Sequence, residues 1–166
     1  MTWRIDYYWE VVLLLKKVLL TIGTILIGTS VLADCTRSPD RVSILIGSEH
    51  VNASKEFTEL NPGVFLSWDC NNIMLTAGIY ENSLGDPSPS ALVSYEIYEY
   101  QDFSLSAFAG ISYFPETDGL DLEYSSHYVP LVGLQTNYKN IFMQFIPGVE
   151  NQFDMLITAG LRFELN

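Results

Sequence analysis

The chain has 166 residues, room for one domain and little more, and its formal charge of −12 argues against a nucleic-acid-binding surface. Nearly half of it is apolar (48%), with ten Tyr and nine Phe, yet only one stretch is apolar over a long enough run to resemble a membrane helix.

That stretch lies near the N-terminus. Residues 16 to 33, KKVLLTIGTILIGTSVLA, run from a basic pair through an apolar core to small residues. This order predicts a secretory signal peptide over 1–33, cleaved after Ala33, and a domain over 34–166. The preceding MTWRIDYYWEVVLLL is long and partly apolar, so the alternative is an uncleaved anchor from Val11 to Leu32. Cys35 follows Asp34, where a lipobox carries a small neutral residue, which argues against lipidation. Beyond Ala33, Arg37, Arg41, Lys55, Lys139 and Arg162 face eighteen acids, a charge of −13. The expected product is exported and strongly acidic.

From there on the apolar residues alternate with small or polar ones, the pattern of strands with two unlike faces. Eight strands are expected, near 42–52, 63–70, 73–83, 91–101, 103–114, 128–138, 141–149 and 153–165. Val64, Leu66 and Trp68 alternate with Ser67 and Asp69, and Val93, Tyr95 and Ile97 with Ser94 and Glu96. In the fifth strand Phe103, Leu105, Ala107, Ala109, Ile111 and Tyr113 alternate with Ser104, Ser106, Gly110 and Ser112. The eighth repeats the pattern from Phe153 to Leu165.

A soluble β-sandwich or lipocalin-like barrel alternates too. The connections separate the cases: short turns at Asn71-Asn72, Gln101-Asp102 and Lys139-Asn140 take turns with longer loops at 53–62, 84–90 and 115–127. Short turns at one rim, longer loops at the other, and an even number of strands about ten residues long predict an all-β, eight-stranded antiparallel transmembrane barrel of the outer membrane. Trp68, Tyr98, Tyr100, Tyr113, Phe114, Tyr128 and Tyr138 fall near strand ends, where interfacial girdles form. In hydrocarbon an open edge would strand its amides, so the sheet must close. Arg162 with Glu96, Asp69 or Glu164 is then expected as an ion-pair cluster inside the lumen.

With periplasmic short turns, the first and third strands both run outward. His50 and the pair Asn82 and Ser83 therefore converge on the external rim, and His127 starts the sixth strand at the same rim. Glu49, His50, Glu56 and Glu59 match no metal-site spacing, and no glycine-rich phosphate loop is present, so neither metal nor cofactor is expected.

These residues carry a resemblance. "EH" ending the first strand resembles a Trp-His step, "FTELNPGVFLSWD" an Asn-Glu-x-Pro-x-Gly loop with its following strand, and "ENSL" an Asp-Ser step. "YVPLVGLQTNYKNIFMQFIPG" resembles a Tyr-Ile-Pro strand, a Phe-Gln-Met strand and Tyr-Ile-Pro-Gly, with "FIPG" at 145–148 the most specific piece. From about 42 to 163 the chain thus resembles the lipid A palmitoyltransferases of Gram-negative outer membranes (PagP type). The resemblance implies a monomeric barrel whose lumen accepts a phospholipid acyl chain and whose outer rim transfers it to lipid A, so its partners are membrane lipids. The catalytic His falls on His50 and the Ser on Ser83. The catalytic Asp falls on Asn82, which can orient an imidazole but cannot stabilise its charge. The family's helix before the first strand has little room between Asp34 and Arg41, and Leu45 stands near the place of a strand-one proline associated with lateral lipid access. Pro147, which lacks an amide proton, is present on the other side.

Three readings follow. His50 acts as general base, with Ser83 as nucleophile or polar organiser, in acyl transfer to lipid A; or the same pair hydrolyses a lipid ester; or the barrel is a non-catalytic surface protein. His127 is the substitute base in either chemistry. Cys35 and Cys70, at the periplasmic ends of adjacent segments, are placed for a disulfide.

Overall fold

The computed structural model describes residues 38–116, 127–148 and 151–165. The expected signal peptide and its cleavage site lie outside these residues. Every regular element among them is a strand: β1 (Arg41–Val51), β2 (Leu60–Cys70), β3 (Ile73–Glu81), β4 (Pro87–Tyr100), β5 (Phe103–Tyr113), β6 (Tyr128–Tyr138), β7 (Ile141–Pro147) and β8 (Met155–Glu164). Each pairs antiparallel with its neighbour, and β1 returns to β8, closing an eight-stranded barrel.

Alternation decides which side chain faces where, since successive residues of a strand point to opposite faces. Ser43, Ser67, Ser94, Ser106, Gln135 and Thr158 are buried in the lumen, while Ile44, Val64, Leu66, Ile79, Val93, Ile111 and Val132 are exposed on the outside. The barrel is therefore apolar without and largely polar within. Leu45, Phe65 and Phe142, with Tyr80 packed against them, form the apolar centre of the lumen. Exposed Tyr98, Tyr100 and Tyr138 cluster near the two-residue turns, each of which opens on a residue at positive φ: Asn71, Gln101 and Lys139. Phe114 departs from the expected girdle: it is buried and turned into the mouth at the opposite end.

Two β-bulges break the alternation. In β1 the register slips between Leu45 and Gly47: Ile46 is an extra residue against β8, whereas against β2 it stands opposite two residues, Asn61 and Pro62. In β4 the slip falls between Glu96 and Tyr98, so Ile97 and Tyr98 are both exposed outside while Glu99 lines the lumen's lower mouth. Two strands also begin earlier than the sequence suggests. β2 begins at Leu60, which pairs with Gly47 of β1, and so takes in Asn61 and Pro62 ahead of Gly63, whose missing side chain lets it pack closely on Tyr80 of β3. β4 takes in Pro87 and Pro89, which have partners on β3 but none on β5, whose ladder begins at Ser90.

The lower lumen is closed by hydrogen bonds. Gln135 Nε2 donates to Asn137 Oδ1 (2.9 Å), Gln144 Nε2 to Gln135 Oε1 (2.9 Å), Thr158 Oγ1 to Gln144 Oε1 (3.1 Å) and Arg162 Nη1 to Asn137 Oδ1 (3.1 Å). Of the carboxylates expected around Arg162, Asp69 and Glu164 pair directly with Arg41, while the Arg162 guanidinium donates to an amide oxygen. Cys70 is disulfide-bonded; the other cysteine of the sequence, Cys35, lies outside the described residues.

Candidate functional site

His50 owes its position to the β1 bulge. Ser43 and Leu45 face the lumen, so strict alternation would send residues 47 and 49 inward and His50 outward. The extra residue at Ile46 reverses that parity: Ser48 and His50 line the mouth, and Glu49 is exposed. Gly47 makes the bulge feasible, since Ser48 N donates to Glu59 O (2.7 Å) and a Cβ at residue 47 would lie 2.6 Å from that same oxygen.

Ser83 follows β3 and reaches the same mouth. Its Oγ lies 3.0 Å from His50 Nε2, a hydrogen bond between residues 33 apart in sequence. The serine is pinned from behind, as Thr58 N donates to Ser83 O (3.0 Å). That loop is tied in turn to β1 and β2: Asn61 Nδ2 donates to Thr58 O (3.1 Å), and Ser48 Oγ donates to Asn61 Oδ1.

Asn82 is fully buried, yet its carboxamide faces its own loop. Oδ1 accepts from Leu84 N (2.8 Å) and Asp86 N (3.0 Å), and Nδ2 donates to Ser88 Oγ (2.9 Å). This is an Asx-type turn that shapes the β3–β4 connection and so places Ser83. The structure gives Asn82 the role of building the turn, and its hydrogen bonds leave His50 to Ser83. The other ring nitrogen of the histidine, Nδ1, is buried without a partner.

Aromatic rings enclose the imidazole instead. Phe57 stacks on it (centroids 4.2 Å apart, planes at 15°) and Phe153 meets it edge-on (4.9 Å, 87°). The two loops that carry them are joined by Ser54 N to Gln152 O (2.7 Å) and Asn52 Nδ2 to Asp154 Oδ2 (2.6 Å). His50 is only 7% exposed. It stands beyond the outward apolar residues Ile44 and Ile46, next to exposed Glu49, at the rim.

The mouth pocket is lined by His50, Ser83, Phe57, Phe114, Phe153 and Pro147, with Ser48 and Asn61 among its polar groups. Leu45, Tyr80, Leu131, Ile146 and Leu156 line both this pocket and the apolar part of the lumen below, so one space continues into the other. Its side wall is incomplete. β7 pairs with β6 only from Leu134 to Tyr138, leaving Tyr128–Gly133 with partners on β5 alone. Pro130 and Pro147, which need no amide acceptor, border that gap.

His127 is placed elsewhere. Its Nδ1 donates to Phe114 O (3.0 Å) and its ring packs against Tyr113 (5.7 Å), bracing the start of β6. Sequence reasoning thus located His50 and Ser83 at one rim and missed Phe57, Phe114 and Phe153. A phenylalanine in a polar loop, as in KEFTE, was the available signal. Among the described residues no group of three or more His, Cys, Asp or Glu side chains is arranged to hold a metal ion. Comparison with protein-family models and with curated proteins returns no match.

Proposed function

We propose that this chain is an outer-membrane acyltransferase that moves an acyl chain from a phospholipid to lipid A, with His50 and Ser83 as its reacting pair. The observation that carries the proposal is the 3.0 Å contact between a buried imidazole and a serine hydroxyl at the mouth of an apolar cavity. The outward apolar belt with tyrosines toward the turns suits a bilayer, and closure removes the free edge that hydrocarbon would punish. The gap beside β7 offers an acyl chain a way in from the side, and the glutamine and arginine layer below would stop it. An eight-stranded lumen has width for one such chain.

The chemistry follows from the pair. With Ser83 as nucleophile, its proton passes to His50 Nε2 while Oγ bonds to the acyl carbon. The lysophospholipid alkoxide then leaves and takes the proton back from Nε2. A lipid A hydroxyl reverses the sequence by giving its proton to Nε2 and receiving the acyl group. In a direct route His50 would deprotonate the lipid A hydroxyl without a covalent stage, and mass analysis for acyl-Ser83 separates the two. Mass spectrometry of lipid A from cells with the protein, without it, and with His50→Ala tests the function. A new acyl mass that depends on His50 is expected. Loss of an existing acyl group would instead identify a hydrolase, and an unchanged lipid A would leave a non-catalytic surface barrel.

A further inference from the structure

A histidine that serves as a base for serine needs a fixed ring, because the accepting nitrogen must stay in line with the hydroxyl while the ring changes charge. The usual device is a polar group on the second ring nitrogen, which sets both the tautomer and the rotation. His50 lacks one: Nδ1 is buried and unpartnered, and Asn82 is committed to its own turn. The ring is held on its face and its edge by Phe57 and Phe153, which also meet each other at 5.6 Å, with planes at 85°.

We infer that Phe57 is a positioning residue: seated against Phe153, it fixes the His50 ring toward Ser83 by stacking, in place of a third polar group. Stacked and edge-to-face rings prefer these separations and angles, so the pair restricts tilt and rotation of the imidazole. The mounting of Phe57 supports the role. Asn61 and Ser48 hold the loop at Thr58, the residue after Phe57, and the Thr58 amide grips Ser83 O. One short segment therefore sets the ring and the hydroxyl together. Lys55 Nζ, 5.1 Å from the Phe57 ring centroid, adds a cation–π contact that steadies the aromatic side chain. The rate effect of this device rests on the acyl-transfer reading; the ring geometry does not.

The test uses the folded full-length barrel in detergent, with His127→Gln introduced so that the ring signals come from His50. Nitrogen-15 NMR of the imidazole should show two well-separated ring-nitrogen shifts in the parent, the mark of one tautomer. Phe57→Leu should draw them together, and Phe57→Tyr should restore them. Phe57→Met, close in volume but without a ring, should behave as Phe57→Leu does and decides the matter if the leucine variant does not fold. In phospholipid-to-lipid A transfer, Phe57→Leu should lower kcat about tenfold or more with KM unchanged, as expected for lost alignment. Phe57→Tyr should recover it. An unaltered ring spectrum in the ringless variants, or a tyrosine variant as impaired as the leucine one, would overturn the inference. A parent without transfer activity counts against the proposed function, while the spectra still decide the clamp.

Discussion

Asn82→Ala should weaken the barrel's rim and affect catalysis only through Ser83. The side chain has no exposed surface and makes three hydrogen bonds, two from backbone amides and one to Ser88 Oγ. Alanine leaves the amides of Leu84 and Asp86 and one hydroxyl without their partners. A buried donor left unpaired costs about 1–3 kcal/mol, and water can reach part of this loop because Leu84 and Asp86 are only half-buried. The net loss should be about 2–4 kcal/mol. Urea unfolding of the refolded barrel, followed by tryptophan fluorescence, reads it. Asn82→Asp is the control: one carboxylate oxygen keeps both amides and the other can accept from the Ser88 hydroxyl turned about. Its stability should change by less than about 1 kcal/mol, and transfer should stay level because the carboxylate points into the loop. An Asn82→Ala barrel as stable as the parent yet inactive would refute the reasoning, and so would an Asn82→Asp barrel several times faster. Either result would place residue 82 on the imidazole.

His50→Ala should lower transfer by about a hundredfold or more with the barrel still closed, and Ser83→Ala should act in the same direction; lipid A mass spectrometry and urea unfolding of the same preparations check both halves. Transfer should rise with pH through a single limb, since the base works only when neutral; a pH–rate profile that is flat or falls across the histidine range contradicts the assignment. Val132→Arg, placed on the exposed face of β6, should cost about 2–4 kcal/mol in lipid vesicles if this face meets hydrocarbon near the bilayer midplane, whereas a surface position in water would tolerate it to within about 0.5 kcal/mol. Deleting Ile46 should remove the bulge yet keep His50 inward, because Leu45, Ser48 and His50 then alternate without a break, so transfer should persist in a barrel that still shifts on gels upon boiling; a closed barrel without transfer would show that the site needs the bulge itself.

Much of the architecture was legible because it depends on a period of two. Ser67 between Leu66 and Trp68, or Ser94 between Val93 and Tyr95, already separates lumen from exterior, and the two-residue turns at Asn71-Asn72, Gln101-Asp102 and Lys139-Asn140 separate one rim from the other. The site was legible only as far as topology carries it. Two outward strands bring His50 and Ser83 to one end, but which face a side chain takes near that end depends on counting residues without error. The bulge at Ile46 is a one-residue miscount, and a slip of one moves every later side chain to the other face. Ile44 and Ile46 face outward with or without the bulge, and a glycine at 47 suits either face, so the sequence leaves no mark that selects it. The choice is made by long-range contacts: Ser48 N reaching Glu59 O, Ser48 Oγ reaching Asn61, and Phe57 and Phe153 closing on the imidazole. The same cause explains Asn82, whose position suggests a partner for histidine while three local hydrogen bonds claim it for the turn. What aims the candidate base is therefore a strand irregularity together with two loop aromatics, features that exist only after residues distant in sequence have met.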